Sequence, residues 1–371
     1  MKQLSKHKMI ALASIFLPQV LSAQTEKENP FLFEASYVGD VVGNFAGGIK
    51  TGAAYLGMAN LKMGFDTKKA GWWKGGELFV NGGNTHGGEP SATLIGDFQA
   101  ASNIEAGNHT YLFELWYRQT IGKVSITAGL QDLNADYAAS EGGSLFNNSY
   151  FGIHSVCSDN ISVPIFPLTA LGLNVGWDIA EDYRWQAVVF DGTSYEWDAN
   201  PYNVKWSLGA EDGFFAVTEF HLGKSLVKGK NGKYKLGAYL HRSEVVPGEV
   251  LKNYGFYFVG DQEITNQLSL FTQIGFSPKK YNNHFQCYGL GATLKNFSSQ
   301  RPDDNIGLAA NYAIFKDNPA GNEMAIELIY HFQVSKNIYL RPDIQYIIDP
   351  AGTDKKLNNA LVGMLRFGIE F

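Results

Sequence analysis

An all-β fold, a transmembrane antiparallel β-barrel of about 16 strands, is what this 371-residue sequence encodes. From about residue 31 onward the hydrophobic pattern has a period of two. It runs in roughly 16 stretches near the ~9–11 residues that a tilted strand needs to cross a bilayer. The two faces of these stretches differ in kind. One carries large aliphatics with Tyr and Phe near the strand ends. The other carries Glu, Arg, Asp, Gln and His in numbers too great for a dry core, where unpaired charge is very costly. A soluble sandwich also alternates, but with polar groups outward around an apolar centre. Lipid outside and a wet lumen inside fit these faces better. The chain also ends on an aromatic that closes its last alternating run, and such a run left as an open edge would aggregate.

Composition removes other classes. Aromatics make up 14% of the chain, which excludes disorder. No stretch beyond the N-terminus offers about 18 uncharged apolar residues in a row, so helices do not span the bilayer. Two cysteines exclude a disulfide scaffold, and a formal charge of −6 gives no support to nucleic-acid binding.

Residues 1–23 read as a signal peptide: Lys2, Lys6 and Lys8, then the apolar run Met9–Leu21, then Ser22 and Ala23, with cleavage expected between Ala23 and Gln24. Residues 24–371 then form a single barrel domain, with 27 bases against 36 acids, a net charge of −9. Cys157 and Cys287 would meet an oxidising compartment; no spacing motif pairs them, and the sequence leaves their pairing open.

Strands are expected near Ala53–Phe65 and Glu77–Asn81. In Tyr111–Thr120, Tyr111, Phe113, Leu115 and Tyr117 share one face, and Leu112, Glu114, Trp116 and Arg118 the other. Lys123–Gln131 follows. The segment near 138–168 is polar, rich in Gly, Asn and Ser, and too long for a turn; part of it is expected to fold into the barrel and narrow it. Further strands are expected near Thr169–Trp177, Tyr183–Phe190, Phe214–Leu222, Tyr234–His241, Asn253–Gly260, Leu268–Phe276, Phe285–Leu294 and Asn305–Ile314. Glu323–Val334 sets Met324, Ile326 and Leu328 against Glu323, Glu327 and His331. Ile338–Ile348 sets Leu340, Pro342 and Ile344 against Arg341, Asp343 and Gln345. The last run, from Leu361, ends on Phe371.

Carboxylate and guanidinium groups give hydroxyl-rich solutes strong directional hydrogen bonds. Glu114, Trp116 and Arg118 lie two residues apart on one face and so line one wall; Arg184 does so on a middle strand, and Arg341 and Asp343 on a late one. Asp132 and Asp136 sit where a strand runs into the long polar segment. The same residues also admit plainer roles: Glu114 and Arg118 as a mutually neutralising pair, and Asp132 and Asp136 as turn-formers. Trp72 and Trp73 read as interfacial anchors beside Lys74. No spacing suggests a metal, and no helix follows the Gly-rich pieces to form a phosphate loop, so no cofactor is expected. A barrel enzyme would need a nucleophile beside a His base; His109, His221, His241 and His331 have no such signature around them.

Taken in order, these pieces resemble the carbohydrate-selective porin family, the OprB type: Tyr37-Val-Gly-Asp40, Gly71-Trp72-Trp73-Lys74-Gly75-Gly76, Gly96-Asp97-Phe98-Gln99, Glu114-Leu-Trp-Tyr-Arg-Gln119, Gly129-Leu-Gln-Asp132, Phe146-Asn-Asn-Ser-Tyr-Phe-Gly152, Phe190-Asp191-Gly192 and Arg341-Pro-Asp-Ile-Gln-Tyr346. The resemblance implies a 16-stranded barrel of the bacterial outer membrane that passes small sugars passively, with lipid around it and no cofactor. Independently of it, a terminal aromatic that closes an alternating strand resembles the signal read by the outer-membrane assembly machinery, and Phe371 is expected to serve as that signal. The family resemblance leaves homotrimer and monomer both open, and a general-diffusion or small-acid-selective porin stands as the alternative.

Overall fold

The computed structural model describes residues 29–192, 197–206, 208, 212–246 and 249–371. The signal peptide expected at 1–23 lies outside the described residues.

Alternation with a charged inner face yields sixteen strands. They are β1 (Phe31–Gly48), β2 (Gly52–Asp66), β3 (Gly76–Gly87), β4 (His109–Ile121), β5 (Val124–Gln131), β6 (Ala170–Ala180), β7 (Tyr183–Asp191) and β8 (Phe214–Leu222). Then come β9 (Gly232–Val246), β10 (Glu249–Glu263), β11 (Leu268–Phe276), β12 (His284–Lys295), β13 (Asn305–Phe315), β14 (Glu323–Ser335), β15 (Ile338–Ile348) and β16 (Asn358–Glu370). Each pairs antiparallel with its neighbour in sequence, and β1 pairs with β16, so the sheet closes. Among the described residues each strand thus has a partner on both sides, as a sheet facing lipid requires. The backbone groups of Ala35 and Phe371 exchange hydrogen bonds at the seam (3.1 and 2.8 Å), so the last residue still belongs to the ladder.

The seam carries a buried ion pair. Arg366 of β16 donates from Nε and Nη2 to the two Asp40 carboxylate oxygens of β1, both at 2.7 Å, with both side chains almost wholly covered. A bidentate guanidinium–carboxylate pair fixes register as well as proximity. β1 itself is the least legible strand in the sequence: its glycines and its inward Asp40 and Asn44 interrupt the apolar alternation that marks the others.

The three longest connections, residues 88–108, 132–169 and 192–213, all leave the rim opposite the chain termini. Several connections on the terminal rim have only two residues, such as 122–123, 181–182 and 336–337. Short turns on one side and long loops on the other are the pattern of an outer-membrane barrel, with the long loops outside the cell. The apolar faces point outward: Leu61, Leu236 and Leu290 are each about two-thirds exposed. Trp72 and Trp73 stack on each other at the terminal rim (5.7 Å) and are open to the surroundings, as interfacial anchors are.

In two respects the structure departs from the period-two reading. First, the β3–β4 register slips between the pairs Asn81–Glu114 and Gly82–Leu112. This β-bulge gives one extra residue, Phe113, and reverses the alternation beyond it. Tyr111 and Phe113 therefore turn inward with Glu114 and are 4% and 8% exposed, whereas strict alternation puts them outside with Leu115. Second, the interior is not wet throughout. Loop and wall side chains meet in buried apolar clusters, one of them holding Phe146, Tyr150, Phe151 and Phe271. The wall makes room by losing side chains: a Cβ on Gly289 would lie 2.2 Å from the Tyr150 ring, and one on Gly307 2.7 Å from the Phe146 ring. Cys157 and Cys287 are both buried and both free thiols.

Candidate channel lining

A loop inside a barrel carries backbone N–H groups that need acceptors once water is excluded. The wall supplies them as carboxylates. In the 132–169 connection, Ala138 N–H donates to Glu219 (2.8 Å), Gly142 N–H to Asp261 (2.9 Å), and Asn147 and Asn148 N–H to Glu327 (2.6 and 3.1 Å). The Tyr150 hydroxyl donates to the Gln273 carbonyl of β11 at 2.7 Å. The 88–108 connection repeats the device: Phe98 and Gln99 N–H donate to Glu323 (2.6 and 2.9 Å), and Ser102 donates to Asp40 (2.6 Å). Much of the inward charge is thus committed to the loops.

The residues picked out by sequence divide accordingly. Arg341 and Asp343 of β15 are 9% and 3% exposed. Both hold the Asn147 side chain: Arg341 donates to Asn147 Oδ1 (3.2 Å), and Asn147 Nδ2 donates to Asp343 (3.0 Å). They lie beneath the loop, where the one amide meets an atom of each, while Arg341 Nε and Asp343 Oδ1 keep no hydrogen-bond partner among the described residues. Glu114 is also covered, accepting from Asn81 (3.3 Å) and Trp116 Nε1 (3.2 Å). It does not pair with Arg118.

Arg118 instead donates to Thr127 of β5 (2.9 Å) and to Asp136 of the loop (3.5 Å). Its guanidinium lies 4.7 Å over the Trp116 ring, and Trp116 stacks on Phe79 of β3 at 4.9 Å. The register explains the trio, since Phe79 pairs directly with Trp116 and Glu77 with Arg118. Asp136 closes a short helical turn, Leu133–Asp136, capped by Asp132: Asn134 N–H donates to Asp132 Oδ1 at 2.9 Å, while Leu133 N–H donates to the Pro164 carbonyl at 2.8 Å. Asp132 is therefore a turn-former by geometry, and Asp136 reaches both Arg118 and Asn174 (3.3 Å). Farther along the wall, Arg184 pairs with Asp178 of β6 at 2.7 Å, and Gln186 donates to the Asp136 carbonyl at 2.8 Å.

Trp116, Arg118, Asp136 and Arg184 remain partly open while Arg341 and Asp343 do not. The structure thus joins Glu114, Trp116, Arg118, Asp132 and Asp136 in one patch, sets Arg184 beside it, and places Arg341 and Asp343 elsewhere under the loop. Phe79 and the loop anchors Glu219, Asp261, Glu323 and Glu327 were not singled out by sequence. Their inward position follows from alternation, but what they touch does not.

Burial pushes the Asp132 carboxyl up to about 8, helped by the negative charge of Glu114 and then of Asp136. A carboxyl that keeps its proton in the folded loop, but loses it near 4 when released, favours the folded loop most at low pH. Raising the pH from about 5 to about 9 is expected to weaken the docking of this loop turn. Current recordings across that range should show more frequent excursions to larger conductance. Asp132→Asn, which cannot ionise, should flatten the dependence; an unchanged pH response in that variant would sink the assignment.

The family described as "Carbohydrate-selective porin, OprB family" matches residues 50–371. Porin B of Pseudomonas aeruginosa is 24% identical over 405 residues, covering 93% of this chain and 88% of that protein. The high-pH structure of Pseudomonas putida OprB superposes with a TM-score of 0.81 at 23% identity, covering 92% of this chain and 94% of that one. The outer membrane channel DcaP of Acinetobacter baumannii shares the fold at a TM-score of 0.56 and 9% identity, over 92% of this chain and 97% of that one. Closed barrel, inward-folded loops and matched sequence agree: the chain belongs to the carbohydrate-selective porin family, OprB, and is a barrel of the bacterial outer membrane.

Proposed function

We propose that small sugars diffuse through this barrel past a selective patch made by Phe79, Trp116 and Arg118 of the wall and Asp136 of the 132–169 loop, which narrows the lumen there. The observation that carries the reading is the Arg118 guanidinium, which stacks on Trp116 and meets Asp136 on a partly open face of a largely buried interior. An aromatic face suits the C–H surface of a sugar ring, while guanidinium and carboxylate edges serve its hydroxyls. Solute would exchange water for these contacts and leave, and binding must stay weak because tight binding stops flux. No chemical step is needed. Phe371, largely exposed at the seam, is read as the assembly signal for the outer-membrane machinery. Each barrel encloses its own lumen, so the mechanism works in a monomer or a homotrimer.

The test is single-channel conductance in planar bilayers titrated with neutral sugars. Saturable partial block by glucose or a short oligosaccharide is expected, and Arg118→Ala should weaken that block by roughly tenfold, the equivalent of ~1.4 kcal/mol, with assembly little changed. Open channels indifferent to sugars would favour a general-diffusion or acid-selective porin.

A further inference from the structure

At the rim carrying the long loops, a cavity of about 370 Å³ opens between segments far apart in sequence. Such a volume lies within the range of small-molecule sites. Its lining comes from both inward-folded loops and from the turns after β11, β13 and β15.

The floor is aromatic. Phe98 and Phe315 meet edge to face at 4.8 Å, and His284 lies 5.0 Å from Phe315. The frame is held by amides. Asn283 Nδ2 donates to the Asp317 carbonyl (2.9 Å) while Asp317 N–H donates back to Asn283 Oδ1 (2.8 Å). Asn160 Nδ2 donates to the His284 carbonyl (2.7 Å), and Asn318 Nδ2 to the Ala351 carbonyl (3.1 Å). The charged groups among the lining residues are three carboxylates with accepting capacity, Asp159, Asp317 and Asp354. Asp159 already accepts from the Ser158 hydroxyl at 2.8 Å. Asp317 has only a loose pair with Lys316 (3.7 Å), exposed on both sides and therefore weak. No Lys or Arg is among the lining residues.

We infer that this vestibule is a first binding station for uncharged sugars and amino sugars that turns sugar acids away. A pyranose can lie against the Phe98–Phe315 floor and donate its hydroxyls to carboxylates. An ammonium group gains an ion pair there, and a sugar carboxylate meets like charge in a recess that focuses the field. The inner wall, with Arg118 and Arg184, does not impose this sign. The inference rests on the sugar-channel reading and names its solute class.

The experiment is planar-bilayer current block with D-glucose, D-glucosamine and D-glucuronate added on the loop side at neutral pH. It uses the full chain and an Asp159→Asn/Asp317→Asn/Asp354→Asn variant. Glucosamine should block at least threefold more strongly than glucuronate at low salt. The ratio should shrink at 1 M salt, where the screening length is about 3 Å. The variant should lose the discrimination between glucosamine and glucuronate, with block by glucose weakened less than block by glucosamine because each Asn keeps one acceptor oxygen. Equal block by all three sugars in the unaltered protein, or discrimination that survives in the variant, would overturn the vestibule while leaving the sugar channel standing. No block by any sugar would overturn the channel reading beneath it. Should the variant fail to form channels, the salt dependence of the ratio in the unaltered protein decides: a ratio insensitive to salt overturns the inference.

Discussion

Arg366→Ala is expected to destabilise the barrel by about 3–5 kcal/mol, the scale for removing one partner of a buried ion pair. The Asp40 carboxylate would be left with the Ser102 hydroxyl as its remaining partner, on a side chain that has almost no surface of its own. The damage falls on the β1–β16 seam, the one pairing made between the two ends of the chain and so the one with the greatest loop-closure cost. Asn103 also loses its contact with the guanidinium, so the 88–108 loop should loosen with the seam. Heat-modifiable mobility of the folded barrel on gels measures the effect, as a lower transition temperature and a smaller assembled fraction. Pairing Arg366→Ala with Asp40→Ala should recover part of the loss, because it removes the stranded charge. A single variant as stable as the unaltered barrel would show that the seam is held by the ladder alone.

Glu327→Ala should act on the channel rather than on the barrel. It removes the acceptor of two buried backbone N–H groups, those of Asn147 and Asn148, at the point where the 132–169 loop meets the far wall. At roughly 1 kcal/mol for each buried hydrogen bond, the released form of the loop would gain about thirtyfold in population. Single-channel records should show a larger or noisier open state and weaker sugar block, with little change in barrel melting. Glu327→Gln retains one acceptor oxygen and should fall between. Conductance and block unchanged in the alanine variant would remove the loop from the proposed constriction.

Strand positions could be read from the sequence because period two is a local property: each residue's face follows from its neighbours and from the cost of placing charge in lipid. Glu323–Val334 and Ile338–Ile348 keep that order along their lengths, and their charged members all point inward. The reading failed where geometry is set across strands. One extra residue at Phe113, visible only in the register with β3, turns Tyr111 and Phe113 around. For the proposed selective patch, alternation placed Trp116 and Arg118 on one inward face. The partnership of Arg118 with Asp136 was not, because it depends on how the loop folds back over the wall. Arg341 and Asp343 looked like the same kind of wall charge and proved to be loop anchors.

The sequence by itself determined the class of fold, the strand count and the sorting of side chains between lipid and lumen, since hydrophobic pattern and solvent alone decide these. Tertiary structure decided which inward charges stay open to solute. The reason is that a buried N–H without an acceptor and a buried carboxylate without a donor are both costly, the carboxylate more so. Two long loops and sixteen strands settle both at once, by pairings between residues as far as 225 positions apart, as Phe98 and Glu323 are, and no local pattern records those.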